Sequence, residues 1–369
     1  MKLKKLAAMM TAVVTGSAFL MGCGGGAKTT SAAPAATEAA KEADSSAAAE
    51  EKTEAAAAAD DVAPMELMAG CTYSTTSTSY QYCLEFADEL EKISGGKLTV
   101  VWNPASTLGN TTQHYAMMKE GTLDMFSTAF DTASTLQGAQ DFNALVVPFI
   151  FESMDHYQKF LDSDLLKDML KPVEEQNNLH YAGAICLNWP RGLSTSNKPV
   201  KTPDDIKGLK LRVPEAISSL TVWKAWGANP VSISTSELYA SLENGIADGQ
   251  DNNLISLWNN SYYEVQKYYM ELDYIQQANI LWLSGNTWEK LNDTQRGWIE
   301  EAAKKAYEVN SASVEESYKE SKENLINAGI EFVEFDKEAF LKSAEEIGRT
   351  FEGDLFREGL YDEIKALNK

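Results

Sequence analysis

Apolar positions recur with two alternating periods from residue 65 onward. Residues 65–71, Met65-Glu66-Leu67-Met68-Ala69-Gly70-Cys71, predict a first strand that ends in the polar loop 72–79. Cys83, Phe86, Ala87, Leu90 and Ile93 then recur at helical spacing, and Gly95-Gly96 predicts the end of that helix. Residues 97–102 form a β-rich run closed by Asn103-Pro104, residues 111–120 a second helix, and residues 123–127 a third strand. Strand–helix–strand–helix–strand predicts a parallel sheet covered on both faces. Ligands of such sheets collect beyond the carboxyl ends of the strands. Loops 72–79 and 128–132 lie at those ends, which makes Asp131 a candidate pocket residue.

Further along, residues 145–151 are apolar throughout. One helix is predicted over 154–175, then a strand over 179–187 that runs directly into Trp189-Pro190-Arg191. Residues 196–205 read as a loop, with Thr202-Pro203-Asp204-Asp205 as a helix-start signal. A short apolar run over 209–214, bounded by Gly208 and Pro214, reads as a buried strand. Residues 218–226 and 234–245 are helical, 231–233 a short strand, and Asp248-Gly249-Gln250 opens another strand or loop. The aromatic-rich stretch 262–269 leads to a strand near 280–283. A long amphipathic helix over 294–328 places Trp298, Ala302, Ala306 and Val309 on one face, and residues 337–349 and 353–367 are again helical.

The first 61 residues do not share these patterns. Met1-Lys2-Leu3-Lys4-Lys5 is a basic start, followed by an apolar run from 6 to 21 that reads as a secretory signal, too short for a comfortable membrane span. It ends Leu20-Met21-Gly22-Cys23, which resembles the bacterial lipobox. That resemblance implies cleavage before Cys23 and attachment of lipid, palmitate included, at that residue. Residues 24–61 contain no aromatic residue and no Val, Leu, Ile or Met, so they bury too little apolar surface to offset their ordering entropy. They read as a disordered tether between a lipid anchor and a folded domain.

Composition narrows the chemistry. With 369 residues the soft expectation is two domains. A formal net charge of -22 argues against nucleic acid or an anionic membrane surface as the main partner. The 3 histidines (His114, His156, His180) are far apart, and the 4 cysteines (Cys23, Cys71, Cys83, Cys186) have no zinc spacing, so no metal and no cofactor is expected. Without Cys23 an odd number of cysteines remains, which predicts buried free thiols, with a Cys71–Cys83 pair left open. No nucleophile elbow, HExxH, Walker loop or dinucleotide fingerprint is present, so the expectation is a protein that is not an enzyme.

Binding chemistry rests on two arginines. Arg212 stands near the end of the buried run 209–214, where an uncompensated guanidinium is costly and needs an anionic partner. Arg191 follows a strand and Pro190. Each reads either as half of a structural ion pair or as a carboxylate clamp, since a guanidinium matches a carboxylate bidentately. Asn252, in the polar cluster Asp248-Gly249-Gln250-Asp251-Asn252-Asn253, adds an amide donor. Trp189, Tyr73 and Trp223 read equally as apolar cleft walls or as core packing. Glu215, immediately after Pro214, is counted with the binding candidates.

The stretch Thr202-Pro203-Asp204-Asp205-Ile206-Lys207-Gly208-Leu209-Lys210-Leu211-Arg212-Val213-Pro214 resembles the signature of the extracytoplasmic solute-binding proteins of tripartite ATP-independent (TRAP) transporters. Gly227-Ala228-Asn229-Pro230, residues 237–252 through Asp248-Gly249-Gln250-Asp251-Asn252, and Tyr263-Glu264-Val265-Gln266-Lys267-Tyr268 match in the expected order. So do Leu108-Gly109, Gly121-Thr122-Leu123-Asp124-Met125 and Val147-Pro148-Phe149 upstream. The resemblance implies an α/β, two-lobed periplasmic-binding-protein-like fold with a ligand cleft between lobes and long connecting helices. The lobes are expected at 62–188 plus about 278–317 and at 189–277 plus about 318–369, after a signal peptide (1–22) and a lipid-anchored tether (23–61).

The same resemblance implies a carboxylate clamp at Arg212, a supporting arginine at Arg191, an asparagine ligand at Asn252 and an acidic pocket residue at Asp131. It also implies a small organic acid as ligand and two integral membrane subunits, small and large, driven by an ion gradient. The chain departs from the pattern twice. Asn253 stands where the family usually has proline, and Thr235 stands where many members carry an aromatic residue against the ligand. The second departure leaves open whether the ligand is a four-carbon dicarboxylate, a sugar acid or another monocarboxylate. A binding subunit for a sensor or an ATP-driven importer, and a secreted lipoprotein enzyme, are the alternative readings.

Overall fold

The alternation of buried and exposed positions in Met65–Cys71 forms strand β1, with Leu67, Ala69 and Cys71 inward. It belongs to a computed structural model that describes residues 62–369 except Glu215. The signal segment, Cys23, the tether and Glu215 therefore lie outside the described residues. Strands β2 (Leu98–Asn103) and β3 (Met125–Ala129) pair with β1 on either side, both parallel. The intervening helix Thr78–Ile93 is capped by Ser77, buries Tyr82, Cys83, Phe86 and Leu90, and stops at Gly95 and Gly96, whose φ of 61° and 78° suits glycine. Helix Thr111–Glu120 starts with a reciprocal Asn110–Gln113 capping box. This first unit matches its pattern-based expectation.

The centre of the sheet differs from it. β4 (Leu179–Thr195) and β8 (Tyr268–Ser284) are each 17 residues long and pair with one another antiparallel. The apolar pattern predicts a stop for β4 near 187 and marks β8 only near 280–283. Polar residues within β8 and Pro190 within β4 interrupt the apolar runs, and irregular register accommodates the proline between Asn188 and Arg191. Beyond them, β5 (Lys210–Val213) pairs parallel with β6 (Asn229–Ser232) and with β7 (Gly249–Asn252). The order is β2-β1-β3-β8-β4-β7-β5-β6, with β9 (Glu331–Phe332) beside β8, making 9 strands among the described residues. Two parallel groups are thus joined by one long antiparallel pair, so the sheet is mixed rather than parallel throughout.

Several helices also differ from the pattern. The helix expected over 154–175 is two, Met154–Leu161 and Asp164–Asn177, because Ser163 caps the second by accepting from the Leu166 N–H. The helix expected over 234–245 is a 3-10 turn, Thr235–Glu237, followed by Leu238–Glu243. Near the chain end only Leu360–Ala366 is helical within 353–367. The long helix Asp293–Asn327 is present, but Val309 is 50% exposed. Over several turns the inward face drifts to Asn310 and Val314. Asn310 donates to the Ile185 carbonyl at 2.8 Å, which ties this helix to β4.

The C-terminal segment crosses the expected lobe division. Arg357 pairs with Asp141 at 3.1 Å, Lys365 with Glu152 at 2.9 Å, and the His156 ring bonds the Ile364 carbonyl at 2.7 Å. Trp226 in turn donates to Ser343 at 3.0 Å, so residues 337–366 pack on both groups of helices. Cys71, Cys83 and Cys186 are buried free thiols. No helix among the described residues is long and apolar enough to cross a membrane.

Candidate functional site

The carboxyl ends of β1, β3, β5 and β7 open onto one cleft, lined by Tyr73 and Asp131 from one side and by Arg212, Thr235 and Asn252 from the other. β4 and β8 supply its floor through Asn188, Arg191, Gln277 and Asn279. It holds about 990 Å³ of empty space, part of it open to solvent. Most of its walls are hydroxyl or amide bearing, including Thr72, Ser77, Thr111, Thr128, Ser256 and Asn260. Aliphatic lining among the described residues is confined to Ala129 and Pro214.

Arg191 is 4% exposed and saturated on one side by Asp251. Its Nη2 donates to the Asp251 carbonyl at 3.0 Å and to Asp251 Oδ1 at 3.2 Å. Tyr274 donates to the other Asp251 oxygen at 2.5 Å. Nη1 reaches Asp131 Oδ2 at 3.5 Å, a looser ion pair. The two partners behave unequally. Burial opposes the charge on Arg191, but Asp251, Tyr274 and Asp131 together outweigh it and raise its pKa. Burial pushes the Asp131 carboxyl up despite the opposing pull of Arg191. Arg191–Asp251 is therefore the firmer pair, made at two donor contacts, and Asp131 the looser one.

Arg212 is 2% exposed, and its Nε donates to the Ile233 carbonyl at 2.8 Å, which holds the side chain against the loop before Thr235. Asn252 is fixed at its backbone by Tyr269, whose hydroxyl donates to the Asn252 carbonyl at 3.2 Å. Its side-chain oxygen accepts from the Asn253 N–H at 3.1 Å, which presents the NH2 end as the donor for a ligand. Asn253 itself caps helix Leu254–Asn259 by accepting from Ser256 N–H at 2.8 Å. Gly192 opposes Asn252 in the β4–β7 ladder, and a Cβ there would meet the Met270 carbonyl at 2.6 Å. Only glycine lets the strands approach so closely at this point.

Of the expected site residues, Arg191, Arg212, Asn252, Asp131, Thr235 and Tyr73 share this cleft. Trp189 does not. Its ring stacks on Tyr318 of the long helix, with centroids 3.8 Å apart. Asn188 and Arg191 both line the cleft although they are three apart, because the register slip between them reverses the alternation and turns Trp189 away. Trp223 is core, packed on Trp226 and Tyr274. Glu215 is outside the described residues. Sequence reasoning passed over Asp251, Tyr274, Gln277 and Asn279. Gln277 and Asn279 left one signal, two polar residues at alternate positions in the otherwise apolar run 277–283. Among the described residues no group of three His, Cys, Asp or Glu side chains is placed to hold a metal ion.

Comparison with known proteins agrees with this geometry. The model of the family described as bacterial extracellular solute-binding protein, family 7 matches residues 69–353. The solute-binding protein of Roseobacter denitrificans is 29% identical over 283 residues, 76% of this chain and 85% of that protein. The sialic acid-binding periplasmic protein of Vibrio cholerae is 28% identical over 295 residues, 79% and 90% respectively. A TRAP periplasmic solute-binding protein from Roseobacter denitrificans, solved with bound L-galactonate, superposes with a TM-score of 0.74 at 26% identity, over 84% of this chain and 100% of that one. One from Chromohalobacter salexigens with bound D-glucuronate gives 0.75 at 26% identity, over 82% and 99%. With two parallel strand groups, a polar cleft at their carboxyl ends and a family match across nearly all of the folded part, the chain belongs to the family 7 bacterial extracellular solute-binding proteins, the α/β two-lobed binding proteins of TRAP transporters.

Proposed function

We propose that the protein captures a small organic acid in this cleft and passes it to the small and large membrane subunits of a TRAP carrier, from a lipid anchor at Cys23. Arg212 is the carboxylate clamp, with the Asn252 amide on the same carboxylate. The observation that carries this reading is the division of labour between two buried arginines. Arg191 already has Asp251 on two of its contacts and serves as support, whereas Arg212 enters the cleft from the opposite wall. Asp131 beside Arg191 would repel a second carboxylate, so a monocarboxylate fits better than a dicarboxylate. The relatives solved with L-galactonate and D-glucuronate put sugar acids first among the acids to try.

Titration calorimetry against a panel of organic acids tests the clamp. Arg212→Ala should abolish measurable binding, a loss of roughly 2–5 kcal/mol for one partner of a desolvated charge pair. Unchanged affinity in that variant would remove Arg212 from the site.

A further inference from the structure

Four buried polar atoms on the cleft floor and wall have no hydrogen-bond partner among the described residues: Tyr73 Oη, Asp131 Oδ2, Arg191 Nε and Asn279 Nδ2. Their orientation is set by neighbours. Asn188 donates to Asn279 Oδ1 at 2.6 Å, so the Asn279 amide presents its NH2 group to the cleft. Asn279 is 2% exposed. Gln277 donates to Asp131 Oδ1 at 3.1 Å, so Oδ2 remains as an acceptor, with only the 3.5 Å ion pair to Arg191 beside it. Burial pushes the Tyr73 hydroxyl far up, so it stays protonated and available as a donor.

We propose that Asn279, Asp131 and Tyr73 form a hydroxyl-reading subsite that selects polyhydroxylated monocarboxylates, aldonates or uronates, over alkanoates and dicarboxylates of the same length. It rests on the organic-acid reading and adds the part of the ligand beyond the carboxylate. An alcohol both donates and accepts, so adjacent hydroxyls satisfy an acceptor flanked by donors. An alkyl chain at the same place would leave all of these groups dry and unpaired, which is the strongest way a polar site rejects an analogue. A second carboxylate would instead meet Asp131. The signal is independent of Arg212, because these atoms lie on β8 and on the loops after β1 and β3.

Calorimetry on the intact chain tests this with four- to six-carbon aldonates and uronates, their unsubstituted alkanoates, and the matching dicarboxylates. The wild type should prefer the best hydroxylated acid by roughly tenfold or more. Asn279→Leu and Asp131→Asn should each cut that preference while alkanoate affinity holds or rises, a change of ratio that general destabilisation would not produce. Asp131→Asn carries the test alone should Asn279→Leu not fold. An alkanoate or dicarboxylate binding as tightly as the best hydroxylated acid overturns the subsite but leaves the organic-acid reading standing. An unchanged ratio in a folded variant does the same. No binding of any acid overturns both.

Discussion

At the scale of single residues, Asn253 shows how a departure from a family pattern can be put to use. Its φ of -73° is one proline would accept, so the backbone does not explain the change. The asparagine adds a side chain that caps helix Leu254–Asn259 and an N–H that turns the Asn252 amide. These two contributions separate by substitution. Asn253→Ala keeps the N–H but loses the cap, so melting temperature should fall, by a cap's worth of about 0.5–2 kcal/mol, with ligand affinity retained. Asn253→Pro keeps φ but loses both, so affinity should fall as well, roughly tenfold. Calorimetry and thermal melts on both variants decide it, and equal affinities would mean the Asn252 amide is not held this way. The departure was visible in the sequence. Its role was not, because it depends on an amide torsion in the folded cleft.

At the scale of elements, β8 joins the two parallel strand groups and carries local strain. Asp273 has φ +49°, in the left-handed region, within the irregular stretch between the Leu193–Met270 and Arg191–Ile275 pairings. Burial pushes its carboxyl up to about 7, the Glu271 charge adds to this, and Lys337 and Lys322 oppose it. Glu271 is itself tied to Lys322 and Tyr318, each at 2.7 Å. A carboxyl whose proton is held more tightly in the folded state contributes stability that is full below about 4 and is lost as pH rises through about 7. Asn tolerates the left-handed backbone and does not titrate. Between pH 5 and pH 8 the wild type should therefore lose more melting temperature than Asp273→Asn. Parallel pH profiles would show that Asp273 titrates normally. None of this was legible beforehand, since the polar residues that break the apolar run concealed the strand.

At the scale of the whole molecule, hydrogen bonds cross the cleft mouth. Ser74, in the loop after β1, donates to Asn260 at 3.1 Å, just past helix Leu254–Asn259. Thr78, which begins helix Thr78–Ile93, is bonded by Asn259 of that same helix. Both bonds join the first strand group to the second, and Ser74 and Asn260 also line the cleft. Closure on ligand should therefore appear in solution scattering as compaction of the liganded protein. Asn260→Ala should weaken both the compaction and the affinity, and an identical scattering profile with and without ligand would count against a closing cleft. The C-terminal segment spans the expected lobe division through Arg357, paired with Asp141, and Lys365, paired with Glu152.

Local patterns were sufficient for helices Thr78–Ile93 and Thr111–Glu120, the parallel first unit and the strand that carries Arg212. Each of these depends on neighbours in sequence: an apolar period, a cap, a glycine stop. The ordered motifs were likewise enough to place the chain in its family. Only tertiary structure decided that Trp189 turns away, that Arg191 belongs to Asp251, and that Asn279 faces the cleft with its NH2 group unpartnered among the described residues. Those outcomes depend on register slips between strands about ninety residues apart in sequence and on which buried donor meets which acceptor, and neither has a local signature.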